Sequence, residues 1–315
     1  MKLQQFAYVC AIVERGLNVT HAAKHLHTSQ PGISRYVKML ERELGVDIFV
    51  RDKKRIASLT PVGYSIYAAA KRALNETENV KRVVSEFLSG DVGDLTVATS
   101  HTHARYSLPS VIERFIERFP RVRLRLRQGN LSQISQWVST GEADISIATP
   151  STEPLPDLVF LRCAELHRVI LTKSGHPLLK ADKLTLEILA THPIITYDFE
   201  FSARSQIMRA FHKQRLTPNI VLSATDADTM KTYVQCGLGV AIVADIVFDK
   251  KRDRTLRMID ARHLFETSPV YIGLRRKVHL PNYMLHFIEL YAPHLSRATV
   301  EQAVYGHRNE RRRRR

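Results

Sequence analysis

The chain has 315 residues, 44% of them hydrophobic, and a formal net charge of +16 at pH 7. The length predicts two or three domains, and the hydrophobic content is enough for real cores, which excludes a disordered chain. No apolar run reaches the roughly 18 residues of a membrane span, and the basic balance suits either a polyanionic partner or a well-solvated surface.

Residues 1–60 hold ten bases against five acids, and the last five residues are all Arg. The opening MKLQQFAYVCAIVERG carries an acid and polar groups and does not read as a signal peptide. Cys10, Cys163 and Cys236 are isolated and odd in number, as in a reducing cytosol. Each is expected to be a small buried hydrophobe.

Leu3, Phe6, Ala7, Val9, Cys10 and Val13 predict a first helix with one buried face. Asn18 then caps a short helix whose apolar positions are Val19, Ala22, Ala23 and Leu26. After His27-Thr28, Ser29 caps a second helix with Pro31 in its first turn. Ile33, Val37, Leu40 and Leu44 form its apolar stripe, and Gln30, Ser34, Arg35 and Lys38 its open face. Any two amphipathic helices can give this pattern, but a short helix, a tight turn and a base-rich helix also describe a helix-turn-helix reader of the major groove.

The residues C-terminal to this pair favour the reader. Gly45 is a C-cap. Val46, Ile48 and Val50 alternate as a strand, Asp52 to Arg55 is a charged turn, and Ile56 to Leu59 returns. This is a wing whose Arg51, Lys53, Lys54 and Arg55 are placed to touch phosphates, although a hairpin tip is also often simply solvated. Thr60 and Pro61 start a long helix. Its seam of Ile66, Ala70, Ala73, Thr77, Val80, Val84 and Phe87 alternates steps of four and three, a heptad expected to pair with a second chain. Packing on the chain's own C-terminal part is the alternative.

Ser89 to Asp94, SGDVGD, marks a hinge, after which β and α patterns alternate. Strands are predicted at 95–98, 122–128, 143–148, 168–172, 193–197, 219–224, 239–243 and 270–274. Helices are predicted at 109–119, 131–140, 184–189, 205–215, 226–236 and 283–291. Two such runs imply two α/β lobes built on parallel sheets with a ligand cleft between them. Hydroxyls follow three strand ends: Thr99 to His103, Thr149, and Ser202. Strand carboxyl ends face the ligand crevice, and hydroxyls with helix amides can hold a compact anion without a formal positive charge. For any one hydroxyl an ordinary cap is the competing explanation.

His101-x-His103 lacks a third ligand at a recognisable spacing, and His21 and His25 look like solvated helix surface, so no metal is expected. There is no glycine-rich phosphate loop and no G-x-S-x-G elbow.

TSQPGISRYVKMLERELGVDIFVR, the TP-x-G start of the long helix and the two-lobed remainder resemble the LysR-type transcriptional regulators over nearly the whole chain. MKLQQF, ATSHTHARYSLP, FIERFPRV, ADISIAT and TDADTMKTYVQCGLGV resemble the CysB branch, activators of sulfur assimilation. The resemblance implies a winged helix-turn-helix at 1–59, a dimerising linker helix at 60–89 and a periplasmic-binding-protein-like effector domain at 90–305. The basic tail at 306–315 is expected to be disordered. DNA contacts fall to Thr28, Ser29, Gln30, Pro31, Ser34, Arg35 and Lys38, with the wing bases. The effector pocket falls to Ser100, Thr102, His103, Thr149 and Ser202.

The implied partners are a double-stranded operator, a second copy or a homotetramer, RNA polymerase, and an effector such as sulfate, thiosulfate or an acetylserine, in the cytoplasm and with no cofactor. The branch usually reads TTHTQAR where this chain reads TSHTHAR, Thr stands where this chain has Ser202, and CAELHR lacks an expected aromatic residue. A His at 103 that charges below about pH 6.5 would make anion binding pH-sensitive. A regulator of an unrelated pathway and a solute-binding protein are the competing functions. An enzyme is disfavoured because no acid, base and nucleophile converge.

Overall fold

The computed structural model describes residues 1–52, 55–89, 91–149, 155–198 and 202–306, without the side chains of 82, 85–89 and 202. It divides into two compact units, Met1–Gly90 with Ser139–Glu142, and the remainder.

In the first unit, α1 (Leu3–Glu14), α2 (Val19–His25) and α3 (Gln30–Leu44) precede a hairpin of β1 (Phe49–Asp52) and β2 (Arg55–Leu59). The caps are those the sequence predicts. Asn18 Oδ1 accepts from Thr20 and His21, Ser29 Oγ accepts from Gly32, and Gly45 closes α3 at φ +69°. Ala22 and Ala23 are buried, so α2 and α3 approach closely around Val9, Ile12, Ile33, Val37 and Leu40. Three expected core positions face solvent instead: Leu3, Leu44 and Val46. The wing strand starts at Phe49, so Ile48 and Phe49 go inward while Val50 is exposed, and a register shift between Val50 and Arg51 breaks the alternation.

α4 (Pro61–Ser89) is the long helix. Gly63 in its first turn is forced, because a Cβ there would lie 2.1 Å from the Ile48 carbonyl oxygen. Ile66 packs on the core of this unit and Ala70 is buried, so the upper seam is covered within one chain. Val80 and Val84 are 64% and 50% exposed. The side chain of Phe87 lies outside the described residues.

The second unit holds two five-stranded sheets. One orders β4 (Val122–Gln128), β3 (Gly93–Thr99), β5 (Ile145–Ala148), β12 (Ser268–Arg275) and β6 (Leu158–Leu166). The other orders β11 (Leu256–Asp260), β7 (Arg168–Lys173), β10 (Val240–Ala244), β8 (Ile194–Tyr197) and β9 (Ile220–Ala224). The expectation of parallel sheets holds for three strands of each. In the first sheet β12 pairs antiparallel with β5 and with β6, and in the second β7 pairs antiparallel with β10 and with β11, so β12 and β7 are the reversed strands. The sequence pattern does not predict β6 and β11, nor with them the two crossings between lobes, β6 to β7 and β11 to β12. Covering helices include α5 (Pro109–Arg118), α6 (Leu131–Thr140), α7 (Leu186–Ala190), α8 (Ser202–Lys213), α9 (Ala227–Gln235), α10 (Asn282–Tyr291) and α11 (Arg297–Tyr305). Cys10 and Cys163 are buried, with thiols pushed up to about 12 by burial. Cys236 is exposed, unlike the expectation, because it falls at the C-cap of α9. Lys53, Lys54 and the arginine run of the tail lie outside the described residues.

Candidate functional site

The open face of α3 carries Gln30, Arg35 and Lys38, all exposed, beside half-buried Ser34. Gln30 Nε2 is 3.5 Å from Ser34 Oγ, one turn on. Arg35 and Lys38 have no ion-pair or hydrogen-bond partner among the described residues, so both are available to an outside anion. Thr28, Ser29 and Pro31 are exposed at the start of the same helix, and Arg55 is exposed in the wing. Arg51 differs from the expectation. Its Nη2 donates to Glu41 Oε2 at 2.7 Å, and Glu41 is only 6% exposed. Glu41 Oε1 also accepts from the backbone N–H groups of Ile48 and Phe49 at 2.9 and 3.3 Å. A buried carboxylate needs such compensation, so Arg51 braces the wing through Glu41.

In the second unit, a cavity of about 70 Å³ opens where strands end. At about 10–15 Å³ per water position, it suits a ligand of a few non-hydrogen atoms. Ser100, His101, Thr102 and His103 follow β3, Thr149 follows β5, Tyr197 ends β8 and Thr225 follows β9. Asn130 lines it too, and its Oδ1 caps the first turn of α6 by accepting from Gln133 N–H at 3.0 Å. The structure therefore brings together Ser100, Thr102, His103 and Thr149. Ser202 opens α8, its side chain lies outside the described residues, and its neighbour Ala203 lines the cavity. Thr99 is fully buried and its hydroxyl donates to the Ile147 carbonyl at 2.7 Å, which removes it from the ligand-binding set.

Sequence reasoning missed Asn130, Tyr197 and Thr225 in this lining, and above all Arg168. It opens β7 at the first lobe crossing and lines the cavity at 4% exposure. Its Nη2 donates to Ser268 Oγ at 2.7 Å and to Gln206 Oε1 at 3.1 Å, and its Nε has no hydrogen-bond partner. Burial pushes the guanidinium down from its ordinary value, yet arginine stays charged in proteins. An anion here thus meets a formal positive charge, contrary to the expectation of hydroxyls and amides alone. The available signal was an Arg heading the apolar run VILT, where a charged residue enters a buried strand.

His103 is 3% exposed, and burial pushes it down to about 4. A ring this reluctant to charge argues against the expected switch near pH 6.5. His101 does meet two carboxylates, with ligand atoms of His101, Asp226 and Asp228 mutually within 4.8 Å. Those acids are committed elsewhere: Arg105 Nε is 2.7 Å from Asp228 Oδ2, Tyr106 donates to Asp228 Oδ1 at 2.9 Å, and Asp226 caps α9. The cluster ties the turn after β3 to α9 across the two lobes.

A reader helix with unpaired bases in one unit and a small cavity beside a buried arginine in the other fit a ligand-responsive DNA-binding regulator. Residues 3–64 match the bacterial regulatory helix-turn-helix protein, lysR family, and residues 89–296 match the LysR substrate binding domain, so the chain belongs to the LysR family of transcriptional regulators. It is 44% identical to the HTH-type transcriptional regulator SsuR of Burkholderia cenocepacia, over 95% of this chain and 97% of that one. It is 45% identical to the regulator CysB of the same organism, over 97% and 98%. The crystal structure of the cofactor-binding domain of the Cbl transcriptional regulator matches at a TM-score of 0.64 and 42% identity, covering 68% of this chain and 93% of that one.

Proposed function

We propose that this regulator controls genes of sulfur or sulfonate metabolism and takes its signal from a small anionic or zwitterionic effector in the cavity behind Ser100–His103. The observation that carries the effector reading is Arg168, a buried guanidinium whose hydrogen-bond partners are a hydroxyl and an amide, within reach of a cavity of anion size. A buried cation with no carboxylate among its hydrogen-bond partners, only the longer-range pull of Asp245, favours an anionic ligand. The likeness to SsuR, CysB and Cbl supports the sulfur assignment. Gln30, Ser34, Arg35 and Lys38 read or grip an operator in the major groove, and Arg55 with the wing grips phosphates. Val80 and Val84 pair with a second copy through α4, placing two reader helices on two half-sites, and dimers assemble further into tetramers. RNA polymerase is the further partner this reading implies.

The test uses the full chain. Sulfate, thiosulfate, acetylserine and alkanesulfonates are screened by thermal shift, then for their effect on binding to promoter fragments. At least one should raise the melting temperature and change promoter affinity, and Arg168→Gln should weaken that ligand at least tenfold. Equal binding to promoter and random DNA would overturn the regulator assignment, and indifference to every ligand would overturn the effector assignment.

A further inference from the structure

His103 is held by a chain of hydroxyls. Its Nδ1 lies 3.2 Å from Ser107 Oγ. Ser107 Oγ donates to the His103 carbonyl oxygen at 3.1 Å and is 3.4 Å from the Tyr291 hydroxyl. A serine hydroxyl has one proton and two lone pairs. With its proton on the carbonyl, Ser107 has both lone pairs open, one for Nδ1–H and one for the Tyr291 O–H. Burial pushes Tyr291 up to about 12, so it keeps that proton to give. No other arrangement uses all of Ser107's hydrogen-bonding capacity. A neutral imidazole carries a single N–H, and burial keeps this ring neutral. Holding the proton at Nδ1 leaves Nε2 a bare acceptor. That nitrogen has no protein partner among the described residues, and the ring borders the cavity.

The cavity therefore presents two different faces. Arg168 and the hydroxyls of Ser100, Thr102 and Thr149 can donate to an anion, whereas His103 asks for a donor. Resting on the effector-cavity reading, we propose that His103, set in its tautomer by Ser107 and Tyr291, makes this site select a ligand that carries a hydrogen-bond donor beside its negative charge. An oxyanion that only accepts is then disfavoured. The shared chemistry fits a protonated oxyanion or an amino-acid zwitterion. For a bare oxyanion to bind equally well, the ring proton must move to Nε2 and Ser107 must turn from the carbonyl to Nδ1, giving up one hydrogen bond.

Sulfate and phosphate separate these cases, because they share size and shape while phosphate near pH 7.5 keeps at least one O–H. Calorimetric titration of the full chain with sulfate, phosphate and O-acetylserine, which keeps its ammonium, is expected to show sulfate weaker than at least one of the other two by about tenfold. Whichever of the two binds tighter identifies the donor as a protonated oxyanion or an ammonium. Ser107→Ala frees the tautomer and should shrink that gap severalfold. Sulfate binding as tightly as both others, or a gap unchanged in Ser107→Ala, would overturn the proposal. A second measurement needs no ligand: ¹⁵N shifts of the imidazole nitrogens, with the His103 signals assigned by their loss in His103→Gln. Protonated Nδ1 is expected, and a ring protonated at Nε2 in the free chain would overturn the proposal. If none of the three ligands binds, the imidazole shifts still decide for or against His103, and the wider ligand screen decides the effector reading.

Discussion

The two units of this chain present their polar groups in opposite ways. On α3 Gln30, Arg35 and Lys38 are exposed, and Arg35 and Lys38 are bound to nothing else among the described residues. Around the cavity, Arg168 and His103 are at most 4% exposed, and each is already hydrogen-bonded to a neighbour. A duplex is a large polyanion that reaches only a surface, and its many phosphates favour flexible cations in water. A small anion offers few contacts, so each must act where water is excluded and the dielectric is low. Arg51 lies between these cases: it stands in the DNA-binding unit but serves a buried carboxylate.

The contrast can be broken or sharpened by substitution. The largest effect is expected at the exposed lower seam of α4. Val80→Glu with Val84→Glu would place like charges in a paired seam and shift a dimer toward monomer by several kcal/mol. Sedimentation should show monomers, and an intact dimer would mean that α4 pairs elsewhere. Next is the pH dependence of the cavity wall. His103 titrates at about 4 when folded against its ordinary 6.5. Between those values the unfolded chain binds more protons, so the stability from a neutral His103 is complete above about pH 6.5. It is lost as pH falls toward 4, by up to about 3 kcal/mol. Urea melts of wild type and His103→Gln across pH 4 to 7 should converge at the acid end. Effector affinity should owe His103 no change between pH 5.5 and 8.

Smaller effects separate the two arginines of the DNA-binding unit. Arg35→Ala should weaken operator binding by about 1–3 kcal/mol and leave the melting temperature unchanged. An equal loss on random DNA would make Arg35 a phosphate contact. Arg51→Ala should do the reverse, costing about 1–2 kcal/mol of stability by removing a charged partner of Glu41. A pure loss of DNA affinity, with no change in melting, would return Arg51 to the phosphates.

Local pattern made the helix pair, its caps, the wing and the βα alternation legible, because each depends on residues a few positions apart. Asn18, Ser29 and Gly45 close their helices as the sequence predicts, since a cap is decided by one side chain and the next turn. The strand-end hydroxyls Ser100, Thr102 and Thr149 were legible for a similar reason: once strands are placed, their carboxyl ends define the crevice. What lay beyond the sequence depends on distant partners. Gln206 and Ser268, 38 and 100 residues away in the chain, hold Arg168 at the cavity. Tyr291 completes the hydroxyl chain on His103 from 184 residues beyond Ser107, and Glu41 ties Arg51 to the base of the wing. The sequence by itself determined most of the elements, though not β6, β11 or α11, together with the face of α3 and the place of the crevice. Only the tertiary structure decided which charges stay free and which proton His103 holds, because hydrogen-bond satisfaction in a buried site is settled by whatever the fold brings within about 3 Å.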